Sequence, residues 1–112
     1  MLRILQILPK LEMGGVERST IQTAIALKYN NMVPVIISNG GKMVDLLEKE
    51  YITHINLWVN SKNPIIMFFN SIIIAIIIIT KKINIVHARS RAPAWSAWLA
   101  CKITGTKFIT TF

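Results

Sequence analysis

Two short clusters in this sequence carry residue types suited to chemistry. One is Gly14-Gly15 followed by Glu17-Arg18; the other is His87-Ala88-Arg89-Ser90-Arg91. A diglycine ahead of a helix lets a ligand approach the backbone closely, and the first-turn amides then point at an anion. A ligand-free tight turn uses the same two glycines, so the pair alone does not decide. The spacing lacks the Gly-x-Gly-x-x-Gly and Gly-Lys-Ser/Thr elements, so it is neither a dinucleotide fingerprint nor a P-loop. Glu17 in a first helical turn complements the helix dipole, either as a capping carboxylate or as a ligand contact. Arg89 and Arg91 each carry a planar fork that holds phosphate or carboxylate bidentately. Solvated arginines on a surface loop are the alternative. His87 can act as a general base or as a hydrogen-bond donor.

The remaining candidates are weaker. Trp95 and Trp98 lie three apart on one helix face, a spacing that suits packing and, with the nearby arginines, base stacking. The basic residues do not cluster on one element, so no nucleic-acid partner is expected. Cys101 and His54 read as structural. No pair of His, Cys or acidic residues has metal-ligand spacing, and no metal or resident cofactor is expected.

The elements that must position these clusters follow from the apolar pattern. Leu2–Leu8 is a short apolar run stopped by Pro9, which fits a strand buried on both faces. From Val16 the period changes to three and four residues (Thr20, Ile21, Ala24, Ile25), giving a helix to about Tyr29 that Asn30-Asn31 ends. Met32–Ser38 reads as a second strand, with Pro34 at an early or edge position. Asn39-Gly40-Gly41 is a turn; Val44, Leu46 and Leu47 sit on a short helix with Glu48, Lys49 and Glu50 on its wet side; and Tyr51–Leu57 is a third strand. Ile83–Ala88 is a fourth strand and Ala92–Ile103 a helix with Pro93 near its start and Gly105 at its end. Lys107–Phe112 is a fifth strand. Alternating strands and helices predict an α/β, Rossmann-like parallel sheet with helices on both faces, here an incomplete one. Ligands of such sheets bind outside the carboxyl ends of the strands, where both clusters fall.

Composition narrows the class. The chain has 112 residues, 53% apolar and 16% charged, against a usual charged share of about 25%. A disordered chain needs the opposite balance. One cysteine excludes an internal disulfide framework. Met1–Leu8 is too short for a secretory h-region, so the expected location is the cytoplasm. The net charge is +8, unevenly spread. Residues 1–50 hold six bases and five acids, whereas residues 51–112 hold seven bases and no acid. Such an excess implies an anionic partner or membrane surface. Isoleucine at 21 of 112 positions, with frequent Asn and Lys, also fits codon drift in a genome poor in G and C.

Eighteen residues between Lys62 and Lys81 carry no charge. As a helix they cover about 27 Å, against roughly 30 Å of bilayer hydrocarbon. A single span is open on hydropathy. Asn63, Pro64, Asn70 and Ser71, lysines at both ends, and the strands on either side favour a crossover helix with an apolar outer face.

The stretch Leu-Arg-Ile-Leu-Gln-Ile-Leu-Pro-Lys-Leu-Glu-Met-Gly-Gly-Val-Glu-Arg-Ser-Thr resembles the opening of retaining glycosyltransferases of family 4. Val-His-Ala-Arg-Ser-Arg-Ala-Pro-Ala-Trp-Ser-Ala-Trp-Leu-Ala and Thr-Gly-Thr-Lys-Phe-Ile-Thr-Thr-Phe resemble the later part of that family's N-terminal domain. The resemblance implies the GT-B architecture, two Rossmann-like domains facing across a cleft. It implies a nucleotide-sugar donor as co-substrate, no metal, and a cell-envelope lipid or saccharide acceptor at the inner face of the cytoplasmic membrane. Gly14-Gly15 then approaches the donor diphosphate. The candidate substrate-binding set is Gly14, Gly15, Glu17, Arg18, Arg89, Ser90 and Arg91, with His87 the one catalytic candidate. The donor-binding C-terminal domain is expected to be absent from these 112 residues. Together with the isoleucine-rich helix, this suggests a truncated or split reading frame, a possible pseudogene product inactive alone, with a separately encoded second domain as partner. The competing expectation is a non-enzymatic, membrane-associated or single-span protein with an anion-binding basic surface.

Overall fold

The computed structural model describes residues 1–11, 14–59 and 61–111, apart from the side chain of Ala92. In chain order the elements are β1 (Arg3–Ile7), α1 (Gly15–Tyr29), β2 (Val33–Ser38), α2 (Val44–Lys49), β3 (Thr53–Asn56), α3 (Pro64–Thr80), β4 (Ile85–Ala88), α4 (Arg91–Thr104) and β5 (Lys107–Thr110). The five strands form one parallel sheet in the order β3-β2-β1-β4-β5. This is the α/β fold expected from the alternation of strands and helices. The expected fifth strand reached Phe112, which lies outside the described residues.

The chain builds outward from β1 to β3, then returns to lay β4 on the other side of β1. Gln6 of β1 stands beside His87 of β4, and Ile7 beside Ala88. The crevice outside these two carboxyl ends is the switch point of the sheet, the place where such folds bind ligands.

Strand side chains alternate between two apolar layers. Leu5, Ile7, Val35, Ile37, Val86 and Ala88 pack against α3 and α4, where they meet Ile74, Ile78, Ala97 and Ala100. Ile36 and the adjoining Leu8 face the other way, against Ile21 and Ala24 of α1 and Leu47 of α2. Removing a buried side chain of this kind, such as Ile74→Ala, costs on the order of 2–5 kcal/mol.

Local signals set the helix limits. Asn31 takes a left-handed φ of 61° just past α1, and the Asn30 side chain donates to the Ala26 carbonyl at 2.7 Å. Asn63 caps α3 by accepting from the Ile65 amide at 2.9 Å, with Pro64 in the first turn. Gly105 closes α4 in the left-handed region, as helix C-termini commonly do. Pro34 sits second in β2, an interior strand rather than an edge. The Val33 amide donates toward β1, to Leu2, so alternation aims position 34 at β3. Pairing with β3 begins only at Val35, and no ladder bond is lost to the proline.

The uncharged stretch is a crossover helix packed against α4. Asn70 and Ser71 point inward: Asn70 donates to the Trp58 carbonyl at 2.7 Å, and Ser96 of α4 donates to the Met67 carbonyl at 2.8 Å. With 17 residues α3 is about 25 Å long. No helix among the described residues is long and apolar enough to cross a membrane, which corrects the single-span alternative.

Candidate functional site

The residue at the centre of the switch point is Arg89, the first after β4. Its backbone amide donates to the Ile7 carbonyl at 2.9 Å, fixing the strand end against β1. Its side chain runs across to α1. Nε donates to Oε1 of Gln6 at 2.8 Å, one terminal nitrogen to Oγ of Ser19 at 3.2 Å, and the other to Oγ1 of Thr23 at 3.0 Å. All three acceptors are neutral, so these bonds orient the guanidinium without neutralising it. A guanidinium has five N–H groups; three are engaged here, and the rest remain for a ligand. Partial burial pushes its pKa below the ordinary arginine value.

Gln6 is the other half of this arrangement. It lies between the buried Leu5 and Ile7 of β1, it is itself buried, and its Nε2 donates to the Thr20 carbonyl of α1 at 3.2 Å. A single side chain therefore ties the central strand to both α1 and Arg89.

Gly15, Val16, Ser19, Arg89 and Thr111 line a cleft of about 260 Å³. The helix begins beside it: Gly14 is the N-cap in extended conformation, with no side-chain cap, and the Arg18 amide donates to its carbonyl at 3.0 Å. The amides of the first turn have no acceptor within the helix. The positive end of the α1 dipole and the Arg89 charge thus converge on one opening. A Cβ on Gly15 would meet no atom within 4 Å. Among the described residues nothing crowds that position, and its absence of side chain leaves the cleft wall open to a ligand. Gly14 is different, since a Cβ there would lie 2.6 Å from the Glu17 carboxylate. Glu17 leans back over the start of α1, three positions after the cap, where an acid complements the dipole.

His87 stands one layer behind. Its Nε2 pairs with Oγ1 of Thr111 at 2.8 Å, and Thr111 lines the cleft. Burial, and then the Arg89 charge, push the His87 pKa below its usual value, which favours the neutral ring. His87 reaches the opening through Thr111.

The expected residues are thus distributed unequally. Gly15 and Arg89 meet in the cleft, Gly14 and Glu17 touch at its edge, and His87 backs it. Arg18 is exposed on α1 and outside the cleft lining. Ser90 caps α4 in extended conformation, and Arg91 is the first residue of α4, in the layer across the sheet from α1. Arg89 thus follows β4 and bonds to α1, whereas Arg91 belongs to α4. Sequence reasoning missed Gln6, Ser19, Thr23 and Thr111. Gln6 was readable as a polar residue set between the apolar Ile4-Leu5 and Ile7-Leu8, and Ser19 and Thr23 as an i, i+4 hydroxyl pair.

A second loop system supports the first. The Asn39 amide donates to Pro9 at 2.9 Å, Leu11 to Gly40 at 2.8 Å and Met43 to Leu11 at 2.9 Å. These bonds clip the β1–α1 loop to the β2–α2 loop. Gly41, at φ 144°, passes so close that a Cβ would sit 2.3 Å from the Leu11 carbonyl oxygen. The turn glycines after β2 serve this clip.

The sequence profile described as Glycosyltransferase Family 4 matches residues 13–112. The chain belongs to that family. The solved glycosyltransferase of Rickettsia africae ESF-5 is 52% identical and superposes with a TM-score of 0.91 over 99% of this chain and 29% of that one. For family 4 this is the Rossmann-like fold of the GT-B N-terminal domain. MurG of Acinetobacter baumannii shares the fold at a TM-score of 0.79 and 13% identity, over 98% of this chain and 34% of its own. The C-terminal domain of a Pyrococcus furiosus hydrogenase shares it too, at 0.71 and 14% identity, over 99% and 91%. That breadth shows how little the fold alone says of function. No curated protein sequence matches the chain. The family 4 chain described here spans less than a third of the length of the Rickettsia glycosyltransferase.

Proposed function

We propose that these residues form the acceptor-side half of a sugar-transfer cleft, with the α1 N-terminus and Arg89 facing the diphosphate of a nucleotide-sugar donor. The observation that carries this reading is the guanidinium of Arg89, oriented by Gln6, Ser19 and Thr23 at the edge of an opening walled by Gly15. A leaving diphosphate gains negative charge as the sugar departs. Fixed donors aimed at that charge stabilise it without reorganising, and this is the most effective form of electrostatic catalysis. Membership of family 4 supports transfer to a glycan or lipid acceptor, and a cell-envelope acceptor is the reading we favour. Donor chemistry calls for groups on both sides of the cleft, so these 112 residues by themselves are inactive.

The test is a nucleoside diphosphate titration of the purified chain by calorimetry, beside a donor-hydrolysis assay. Weak saturable binding, lost in Arg89→Gln, with no sugar release, is the expected result. Sugar release by the chain alone contradicts the inactivity, and binding that survives Arg89→Gln contradicts the assignment of the anion site.

A further inference from the structure

Among the described residues, the outer face of α3 is left uncovered. Ile65, Phe69, Ile72, Ile76 and Ile79 form a continuous exposed stripe at helical spacing, with Phe68 and Ile73 along its flanks. Ile65 and Ile79, at the two ends, are 67% and 65% exposed. Pro64 and Met67 of α3 and Trp95 of α4 surround a shallow apolar hollow of about 240 Å³, so α4 continues the patch. Trp98, 44% exposed, extends it further. A helix that is apolar all round belongs in a buried setting, and the stripe is too regular for scattered surface apolar residues.

The charge layout selects what covers it. From residue 51 onward there is no acid, and Lys62, Lys81, Lys82 and Lys102 are exposed around the α3–α4 layer. Glu17, Asp45, Glu48 and Glu50 all belong to the α1–α2 layer across the sheet. One layer is apolar with a cationic rim, and the other carries the acids. Lysines can lie along an apolar stem with the ammonium at headgroup level, and tryptophan favours the same boundary.

We infer that the α3–α4 face docks on an anionic lipid bilayer, with α3 lying in the interface plane. The apolar stripe enters the headgroup–acyl boundary, and the lysines meet lipid phosphates. Because α3 starts just past the carboxyl end of β3, the Ile65–Phe69 end of the stripe lies, on the opposite face, at the same carboxyl end of the sheet as the cleft. Docking then brings the cleft mouth alongside the headgroups. This goes beyond the sugar-transfer reading and stands apart from it, since its test contains no sugar donor.

The experiment is flotation of the full 112-residue chain with vesicles of phosphatidylcholine alone or with phosphatidylglycerol, at low and high salt. The chain is expected to float with the phosphatidylglycerol vesicles at low salt and to release about tenfold at high salt, as a cationic contact screens. Phe69→Ser with Ile76→Ser abolishes flotation. Lys62→Glu with Lys81→Glu, which leaves the apolar packing untouched, lowers it about tenfold. Circular dichroism confirms that both variants fold. Absence of flotation, equal flotation on neutral vesicles, or a dimer in sedimentation velocity that Phe69→Ser with Ile76→Ser dissociates, would each overturn the inference.

Discussion

The Nε of Arg89 donates to the Oε1 of Gln6 at 2.8 Å, joining residues 83 positions apart in the chain. This bond and those of the same two side chains to Ser19, Thr20 and Thr23 bring the carboxyl ends of β4 and β1 together against α1. They make Arg89 both a structural tie and a charged group at the cleft, and the two roles separate by mutation.

Arg89→Leu leaves the buried Gln6 carbonyl without its donor. The expected loss is about 1–3 kcal/mol, the cost of an unsatisfied buried polar group. Gln6→Leu combined with Arg89→Leu removes both partners and recovers part of that loss, because an apolar pair leaves nothing unpaired. Urea unfolding of the two single variants and the double variant measures this coupling directly.

The glycines diverge in the same way. Gly41→Ala is expected to cost more than about 3 kcal/mol, since its backbone conformation strains any L side chain and the new Cβ meets Leu11 backbone. Gly15→Ala places a Cβ in open space at the first turn of α1. It is expected to stabilise the fold by about 0.5–1 kcal/mol, the difference in helix propensity, while weakening anion binding by narrowing the cleft. Thermal unfolding and a diphosphate titration on each variant separate the two effects.

Stability is expected to fall as pH drops through the histidine range. Burial, only partly opposed by Glu48, pushes the His54 pKa below 6.5, and burial with the Arg89 charge does the same for His87. A depressed folded-state pKa means the unfolded chain binds the proton more tightly. The contribution is therefore fully present above pH 6.5 and is lost as pH falls from there through the folded-state values. His54 also pairs through Nε2 with the buried Oγ of Ser38 at 2.6 Å. Denaturation midpoints measured from about pH 8 to pH 5 should decline, and His54→Gln with His87→Gln should flatten the curve.

Cys101 is expected to be inert in the native state. It is 4% exposed in the α3–α4 core, and burial raises its pKa to about 11. The thiolate is the reactive form. An aromatic disulfide reagent should label it only in denaturant; rapid labelling of the folded chain would contradict this packing.

Much of the fold was legible because each element carried its own signal. The apolar run before Pro9, the Thr20–Ile21–Ala24 spacing, the Asn30-Asn31 stop and the Pro93–Gly105 pairing are local features, and their elements formed within a few residues of expectation. The apolar outer face of α3 was also readable, because its isoleucines outnumber the positions a crossover helix can bury. The partners of Arg89 were not legible. Its charge and strand-end position pointed to a ligand, but Gln6, Ser19 and Thr23 lie 66 to 83 residues away. Arg89 and Arg91 are neighbours in sequence, yet the first bonds to α1 and the second, two residues on, opens α4. The clip between Leu11 and Gly41 depends on two loops meeting, and only the folded sheet brings them together.

The most direct measurement is an amide-resolved magnetic resonance titration of the 112-residue chain with inorganic pyrophosphate. The account predicts saturable shifts at the Gly15 and Val16 amides and at Nε of Arg89, all absent in Arg89→Gln. Shifts scattered over the surface lysines, with Gly15, Val16 and Arg89 unmoved, would contradict it.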